Sequence, residues 1–318
     1  MFTRKDYLFL AAAILLVLTA FVTMAFDPSE NGMGILTRTI APIILLAGLL
    51  LPIPVILGRQ HLASDKLQVA IKKTSLETLA GIAVFAIAFS IYLFTLEPTA
   101  SLWDCSEFIA SAYKLQVPHT PGAPLSLLIG RIFTLFAWGD VTRVACMVNA
   151  MSAFFSALTV LLVYIIILVL GKRMENVSIA RPALIVAATA GSLCLAVSDT
   201  FWFSAVEAET YGASCFFMVL IVWLIFTGQD LAEPDRSRRL VLIFYIAGLS
   251  YCIHPMSLLS LPILPVAWYS SSRAWWRILL WTAVGALIIL FINRFIAVGI
   301  FELAFYVDLF LVNSLGFA

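Results

Sequence analysis

The 318-residue sequence is poor in charge: 12% of its residues are Asp, Glu, Lys or Arg, against 63% that are apolar. Soluble domains carry roughly 25% charged residues. A chain with a mean hydropathy of +1.05 cannot cover its surface with polar groups, which excludes an ordinary water-soluble domain and makes lipid the solvent for much of it. Cysteine is sparse and unpatterned. Five residues, Cys105, Cys146, Cys194, Cys215 and Cys252, lie mostly in apolar runs with no CxxC or metal spacing. An odd count in such places excludes a disulfide framework and reads as small apolar filler. Histidine is scarcer still, with three residues, and no His/Asp/Glu group has firm metal-ligand spacing. No cofactor is therefore expected, although the sequence leaves a divalent metal open. No Gly-rich loop follows a strand, which excludes the usual nucleotide-phosphate cradle. No basic stripe with interleaved aromatics is present, which excludes nucleic acid as a partner.

What the sequence has is long apolar runs, at about 7–26, 40–57, 78–96, 143–170, 183–198, 211–227, 240–253, 256–270 and 276–299. They predict an all-α, polytopic transmembrane helix bundle with about nine spans. Arg4 and Lys5 precede the first run as in a signal peptide, but no small-x-small cleavage site follows, so a retained helix is expected. Basic residues set the orientation. With the N-terminus cytoplasmic, the inner segments hold Arg4, Lys5, Arg59, Lys66, Lys72, Lys73, Lys172, Arg173, Arg181, Arg236, Arg238, Arg239, Arg273 and Arg277, which is 14 of the 19 Lys and Arg. The outer segments keep Arg38, Lys114, Arg131, Arg143 and Arg294. The sequon Asn176-Val-Ser178 then lies inside, where glycosylation is not expected.

Residues 97–142 form a long outer loop that is too apolar for a solvated one. It reads as two short amphipathic interfacial helices, at about 104–115 and 124–136, joined by the stiff turn Val117-Pro-His-Thr-Pro-Gly122. This topology gathers Asp104, Glu107, His119, Glu207, Glu209 and His254 on the outer face. Asp104 and Glu107 are three apart at a helix start, so both carboxylates point to one side. Trp103 and Phe108 flank them, and desolvation beside aromatics tunes a carboxylate toward acid–base work. A plain helix cap reads equally well. Glu207 and Glu209 share the short connection Asp199–Tyr211 with four large aromatic residues, Phe201, Trp202, Phe203 and Tyr211. They read either as a substrate-facing rim or as solvated acids beside interfacial aromatic anchors. His119, set between prolines, and His254, before Pro255, alone read more readily as structural than as ligands.

The stretches Leu96-Glu-Pro-Thr-Ala-Ser-Leu-Trp-Asp-Cys-Ser-Glu-Phe-Ile-Ala, Pro118-His-Thr-Pro-Gly-Ala-Pro, Ser198-Asp-Thr-Phe-Trp-Phe-Ser-Ala-Val-Glu-Ala-Glu and Gly248-Leu-Ser-Tyr-Cys-Ile-His254 together resemble a bacterial family long labelled as a domain of unknown function. That family is related to protein O-mannosyltransferases in the glycosyltransferase-C superfamily. The resemblance runs from about residue 78 to 270 and implies a division into two N-terminal helices with a cytoplasmic loop, 1–76, and a glycosyltransferase-C-like membrane domain, 77–318. The first two spans precede the usual first helix of that fold. The closing run FYVDLFLVNSLGFA looks like an interrupted element, so the domain is expected to be incomplete at its C-terminus.

The resemblance implies a multi-pass protein of the bacterial inner (plasma) membrane. Its expected function is to move a sugar from a polyprenyl-phosphate-linked donor to an acceptor hydroxyl, Ser or Thr of exported proteins, on the non-cytoplasmic face. A lipid or glycan acceptor fits the same class, and membrane lipids are partners. It makes Asp104 the leading base and Glu107 its partner. Arg143 is then the first candidate for the donor phosphate and Arg131 the second, His119 shapes the loop or touches the phosphate, and Glu207, Glu209 and His254 line the cavity. The competing reading is a transporter or lipid-handling protein whose acids couple to protons or bind head groups. Transporters place such groups near the bilayer midplane on broken, repeated helices, whereas these acids fall at one face and no inverted repeat is evident.

The charge asymmetry yields a direct test of topology. An impermeant thiol reagent added outside intact cells is expected to label Gln116→Cys, in a background lacking the native cysteines. Labelling from the cytoplasmic side alone contradicts both the orientation and the placement of the acids.

Overall fold

The computed structural model describes residues 2–29, 34–57, 76–120, 122–174, 179–269 and 275–315. The basic residues Arg59, Lys66, Lys72, Lys73 and Arg273, together with His61, Pro121 and the sequon at 176–178, lie outside these. Every regular element among the described residues is helical, as a chain that must satisfy its backbone polar groups within lipid requires. The protein is a helical, multi-pass membrane protein. It divides into two compact units, Met1–Ser257 and Leu258–Ala318.

In the first unit, α1 (Arg4–Ala25) opens with a capping box. The Thr3 hydroxyl accepts from the Asp6 N–H, and the Asp6 carboxylate accepts from the Thr3 N–H. A π turn, Leu36–Ile40, leads into α2 (Ala41–Leu50) and α3 (Pro52–Leu57), which run beside α1. Helices α4 (Leu76–Phe94), α7 (Val144–Lys172) and α8 (Arg181–Ala196) share one apolar core around Val84, Tyr92, Val160 and Tyr164. On the other side of α7 lie α10 (Thr210–Gly228) and α11 (Asp235–Tyr251). Two short helices, α5 (Cys105–Lys114) and α6 (Pro124–Thr134), pack against the N-terminal half of α7. They match the two amphipathic helices read from the loop sequence. The second unit holds α12 (Ile263–Tyr269), α13 (Trp275–Phe291), a π turn at Ile292–Ala297 and α14 (Val298–Leu315). Leu287, Leu290, Leu303 and Tyr306 are exposed along it, as expected of lipid-facing surface.

The expectation of about nine spans is too high for the described residues. Five helical segments are long and apolar enough to cross a membrane: Arg4–Ala25, Leu36–Leu57, Leu76–Phe94, Val141–Lys172 and Thr210–Gly228. A sixth is reached if α8 and α9 (Asp199–Ala205), bent by 68°, form one span. The hydropathic runs that fail do so for structural reasons. Alone, α8 has 16 residues, and α11 has 17 and begins with Asp235, Arg236, Arg238 and Arg239. The run 256–270 breaks into a 3-10 turn and a seven-residue helix. The run 276–299 is interrupted by the π turn after 17 helical residues. A span needs about 20 residues of helix.

The helix ends are sorted. At one end Glu77 bridges Lys172 (2.7 Å) and Arg181 (2.9 Å), Arg173 meets Asp230, and Arg238 reaches Asp6 at 3.5 Å. Arg239 donates to Thr227 there as well. The basic segments assigned to one side by charge count are therefore neighbours in space. The loop acids lie at the opposite end of α7.

Helices α7 and α10 cross closely at Gly212. A Cβ added at Gly212 would stand 2.8 Å from the Ser156 hydroxyl oxygen and 3.1 Å from the Ser152 carbonyl oxygen. Gly212→Ala is therefore expected to lower the thermal midpoint in detergent, by overpacking worth about 1–3 kcal/mol. Gly248 in α11 has no such neighbour within 4 Å, so Gly248→Ala should stabilise by about 0.5–1 kcal/mol through helix propensity. Equal and same-sign shifts would show that the crossing is not tight.

Candidate functional site

The site is built on the face of α7 that carries Asn149 and Ser152, both fully buried. The Asn149 side-chain amide donates to the carbonyl oxygens of Glu97 (2.6 Å) and Thr99 (2.9 Å), and the Glu97 N–H donates to the Val206 carbonyl. The segment entering α5 is thus pinned. Between this anchor and the helix, Trp103 adopts a left-handed backbone with φ 64° and leaves its ring exposed. A bulky residue there costs about 1–3 kcal/mol and persists where its surroundings over-determine it. The next residue is Asp104.

Asp104 occupies the N-cap position of α5, but its side chain makes no capping hydrogen bond. The simple helix-cap reading therefore does not hold. Its carboxylate is 55% exposed and stands 3.9 Å from His119 Nε2. Glu107, one turn on, is committed: it accepts from the His119 ring Nδ1 (2.7 Å) and the His119 backbone N–H (2.7 Å). The turn that delivers His119 uses left-handed backbone at Leu115 (φ 53°), Gly122 (φ 92°) and Ala123 (φ 41°). It closes with Gly122 N–H donating to the His119 carbonyl. The Phe108 ring lies 5.7 Å from the His119 ring. The hydrogen bonds from His119 hold the Glu107 carboxyl below its ordinary value, and Glu107 in turn holds the His119 imidazole above its ordinary one.

The second acid pair joins the first. Glu207 and Glu209 are 4% and 9% exposed, so the reading of solvated acids beside aromatic anchors is corrected. Ser101 Oγ donates to Glu207 and also contacts Cys105 Sγ at 3.1 Å, while Cys105 Sγ lies 3.5 Å from Glu209 Oε1. Ser152 Oγ donates to the Glu209 carbonyl at 3.2 Å. Burial pushes the Glu209 carboxyl up, and the nearby charges of Asp104 and Glu207 push the same way. Burial raises the Cys105 thiol to about 12, so it remains a protonated donor. Four carboxylates therefore surround the start of α5, and only that of Asp104 is both exposed and free of a short hydrogen bond.

His254 lies apart from this cluster. Its ring faces Tyr211, two residues past Glu209, with centroids 5.6 Å apart, and Nδ1 accepts from the Met256 N–H. Burial holds it below its ordinary value, hence neutral. The two arginines are not brought to Asp104. Arg143 is 67% exposed, with Nε 3.5 Å from Asp140. Arg131 is buried and donates to the carbonyl oxygens of Arg38 and Tyr113 and to Thr134 Oγ1. Tyr113 is nine residues along α5 from Asp104, roughly 13 Å of helical rise.

Sequence reasoning missed Ser101, Cys105, Asn149 and Ser152. A buried Asn inside an apolar span was the available signal, since such a side chain needs partners. The reading of the cysteines as unbridged holds, as all five are free, but Cys105 is a hydrogen-bonding member of the site as well as filler. One donor atom each of Asp104, Glu107 and His119 lies within 4.8 Å of the others. That arrangement can accept a divalent cation if the His119–Glu107 bond yields.

Comparison with known proteins converges on one group. The family described as "Protein O-mannosyl-transferase TMEM260 N-terminal domain" matches residues 104–277, more than half of the chain. The mouse protein named "Protein O-mannosyl-transferase TMEM260" is 29% identical over 189 residues, covering 58% of this chain and 25% of its own length. The chain thus spans about a quarter of that relative. No solved structure matches.

The Glu107–His119 pair gives a pH window. His119, raised above 6.5, holds the turn most firmly below pH 6.5 and lets go as pH rises through its raised value. Glu107, lowered from 4.5, contributes above pH 4.5 and lets go as pH falls through its lowered value. The docked turn is therefore fully held between these limits. Nuclear magnetic resonance of the His119 ring should show a midpoint above 6.5 that returns toward 6.5 in Glu107→Gln. An unchanged midpoint in that variant contradicts the pairing.

Proposed function

The chain belongs to the protein O-mannosyl-transferase TMEM260 N-terminal domain family, and from that premise we propose that it is a membrane glycosyltransferase. In this reading it takes a sugar from a polyprenyl-phosphate donor and passes it to an acceptor hydroxyl, Ser or Thr of exported proteins, on the non-cytoplasmic face. The fold is read as glycosyltransferase-C-like over residues 77–318, in a bacterial inner membrane with the N-terminus cytoplasmic. The observation that carries the reading is the free carboxylate of Asp104, held at one end of the bundle beside three committed carboxylates.

The chemistry follows from that geometry. Asp104 accepts the proton of the acceptor hydroxyl, whose oxygen forms a bond to the anomeric carbon of the sugar. The bond from that carbon to the phosphate oxygen breaks, and the polyprenyl phosphate leaves with the electron pair. Glu107 holds His119 and thereby the turn over the site. Arg143, exposed at the start of α7 and lightly paired with Asp140, is the arginine proposed to swing to the leaving phosphate. Glu207 and Glu209 are read as lining the cavity beside Asp104, with His254 lining it from farther off, against Tyr211. A site at the membrane surface lets the donor's lipid tail remain in the bilayer while its sugar reaches water. A transporter would place ionisable groups along the middle of its spans, whereas these carboxylates gather at helix ends.

Asp104→Asn preserves side-chain shape and removes the proton acceptor. The transfer rate is expected to fall about 10²–10⁴-fold, with membrane insertion unchanged, in an assay using a labelled polyprenyl-phosphate sugar. Glu107→Gln should lose less, because its part is to hold the turn. Full activity in Asp104→Asn would move the base elsewhere.

A further inference from the structure

We infer that a cavity between the first turn of the Leu36–Leu57 span and helices α5 and α6 is a binding site for a phosphate-class anion, with Arg38 and Arg131 as its ligands. The cavity has a volume of about 330 Å³ and is lined by Arg38, Tyr113, Arg131 and Thr134 among apolar neighbours. Among the described residues, none that lines it is acidic. Two cationic side chains therefore share a partly enclosed space whose described walls carry no counter-charge.

The two guanidinium groups share one residue, and Arg131 is held also by the Arg38 carbonyl and Thr134 Oγ1. The Tyr113 carbonyl accepts from Arg38 Nη2 (3.3 Å) and Arg131 Nη1 (2.9 Å). The Tyr113 ring carries Arg38 at 4.7 Å and Arg131 at 5.6 Å from its centroid. Arg38 Nε is buried with no partner. Asp27, an acid just before the same span, is spent on the backbone N–H groups of Thr37 and Ser29. Burial, and after it the charge of Arg38, disfavours the charged form of Arg131. Both effects are relieved by an anion between the guanidiniums. Buried like charges without a counterion are costly, and a buried guanidinium donor needs an acceptor.

The ligand class follows from donor geometry and depth. Paired planar forks match the several oxygens of a phosphate. The cavity lies at the beginning of a membrane span, the level of lipid phosphates. Ile35, 70% exposed, lines it at the apolar edge, where a lipid chain would leave. Arg38 lies outside the residues matched by the family, and the cavity is at the far end of α5 from Asp104. The site is thus separate from the proposed transfer centre, and a failed transfer assay does not bear on it.

The test uses the purified full chain in an uncharged detergent with two probes. Inorganic phosphate is expected to raise the melting midpoint above that in chloride at equal ionic strength. Phosphatidic acid in mixed micelles is expected to be retained through gel filtration in preference to phosphatidylcholine. Arg38→Gln should weaken both by about tenfold or more, the value of one charge-assisted hydrogen bond, and Arg38→Lys should weaken them less. Retention of phosphatidic acid without an effect of inorganic phosphate assigns the site to a lipid headgroup. The converse assigns it to free phosphate. If wild-type protein prefers neither probe over its control, or a folded Arg38→Gln binds as wild type does, the inference is overturned. The wild-type comparison decides the matter even if Arg38→Gln does not fold.

Discussion

One face of α7 fixes the arrangement of the acids. Asn149, Ser152 and Ser156 stand three and four residues apart, and all are buried. Asn149 holds the segment that enters α5, and Ser152 holds the backbone that enters α10 at Glu209. Gly212 brings α10 close enough to Ser152 and Ser156 for the contact at Glu209 to form. Small and polar residues serve this purpose within lipid, where the hydrophobic effect does not drive helices together and close approach and hydrogen bonding do. Two acid-bearing segments more than 100 residues apart in sequence are thereby set on one side of Cys105.

Electrostatics then divides the labour among the four carboxylates. Like charges this close cannot all be ionised without support. Glu207 and Glu209 are drawn inward and satisfied by Ser101 and Cys105, and Glu209 is displaced toward its neutral form by burial. Glu107 receives both donors of His119. Asp104 remains at the surface beside the His119 ring, at 3.9 Å. A carboxylate so placed is accessible, as a general base must be. Its position follows from what its neighbours consume.

Much of this was legible in the chain and some was not. The Pro- and Gly-rich turn and the amphipathic pattern on either side of it predict two short helices, because both signals are local. The acids at 104, 107, 207 and 209 stood out because charge is rare here. Their mutual proximity was carried by the resemblance and by topology, and the burial of Glu207 and Glu209 depends on Ser101, which no local pattern reveals. The span count overshot because hydropathy measures apolar content and not continuity. Prolines at 255, 262 and 265 and the π turn at Ile292–Ala297 interrupt runs that are apolar throughout. Arg131, by resemblance the second candidate for the donor phosphate after Arg143, is turned by its hydrogen bonds to Arg38 and Tyr113 at the other end of α5.

The central claim is that this chain transfers a sugar from a lipid phosphate to a hydroxyl. The most direct measurement supplies membranes containing the chain with polyprenyl phosphate bearing a labelled mannose, together with exported-protein acceptors. The account predicts label on Ser or Thr that alkali releases, and none in membranes lacking the chain. Label that stays on the lipid, while the chain is folded and a control mannosyltransferase is active in the same membranes, would contradict it.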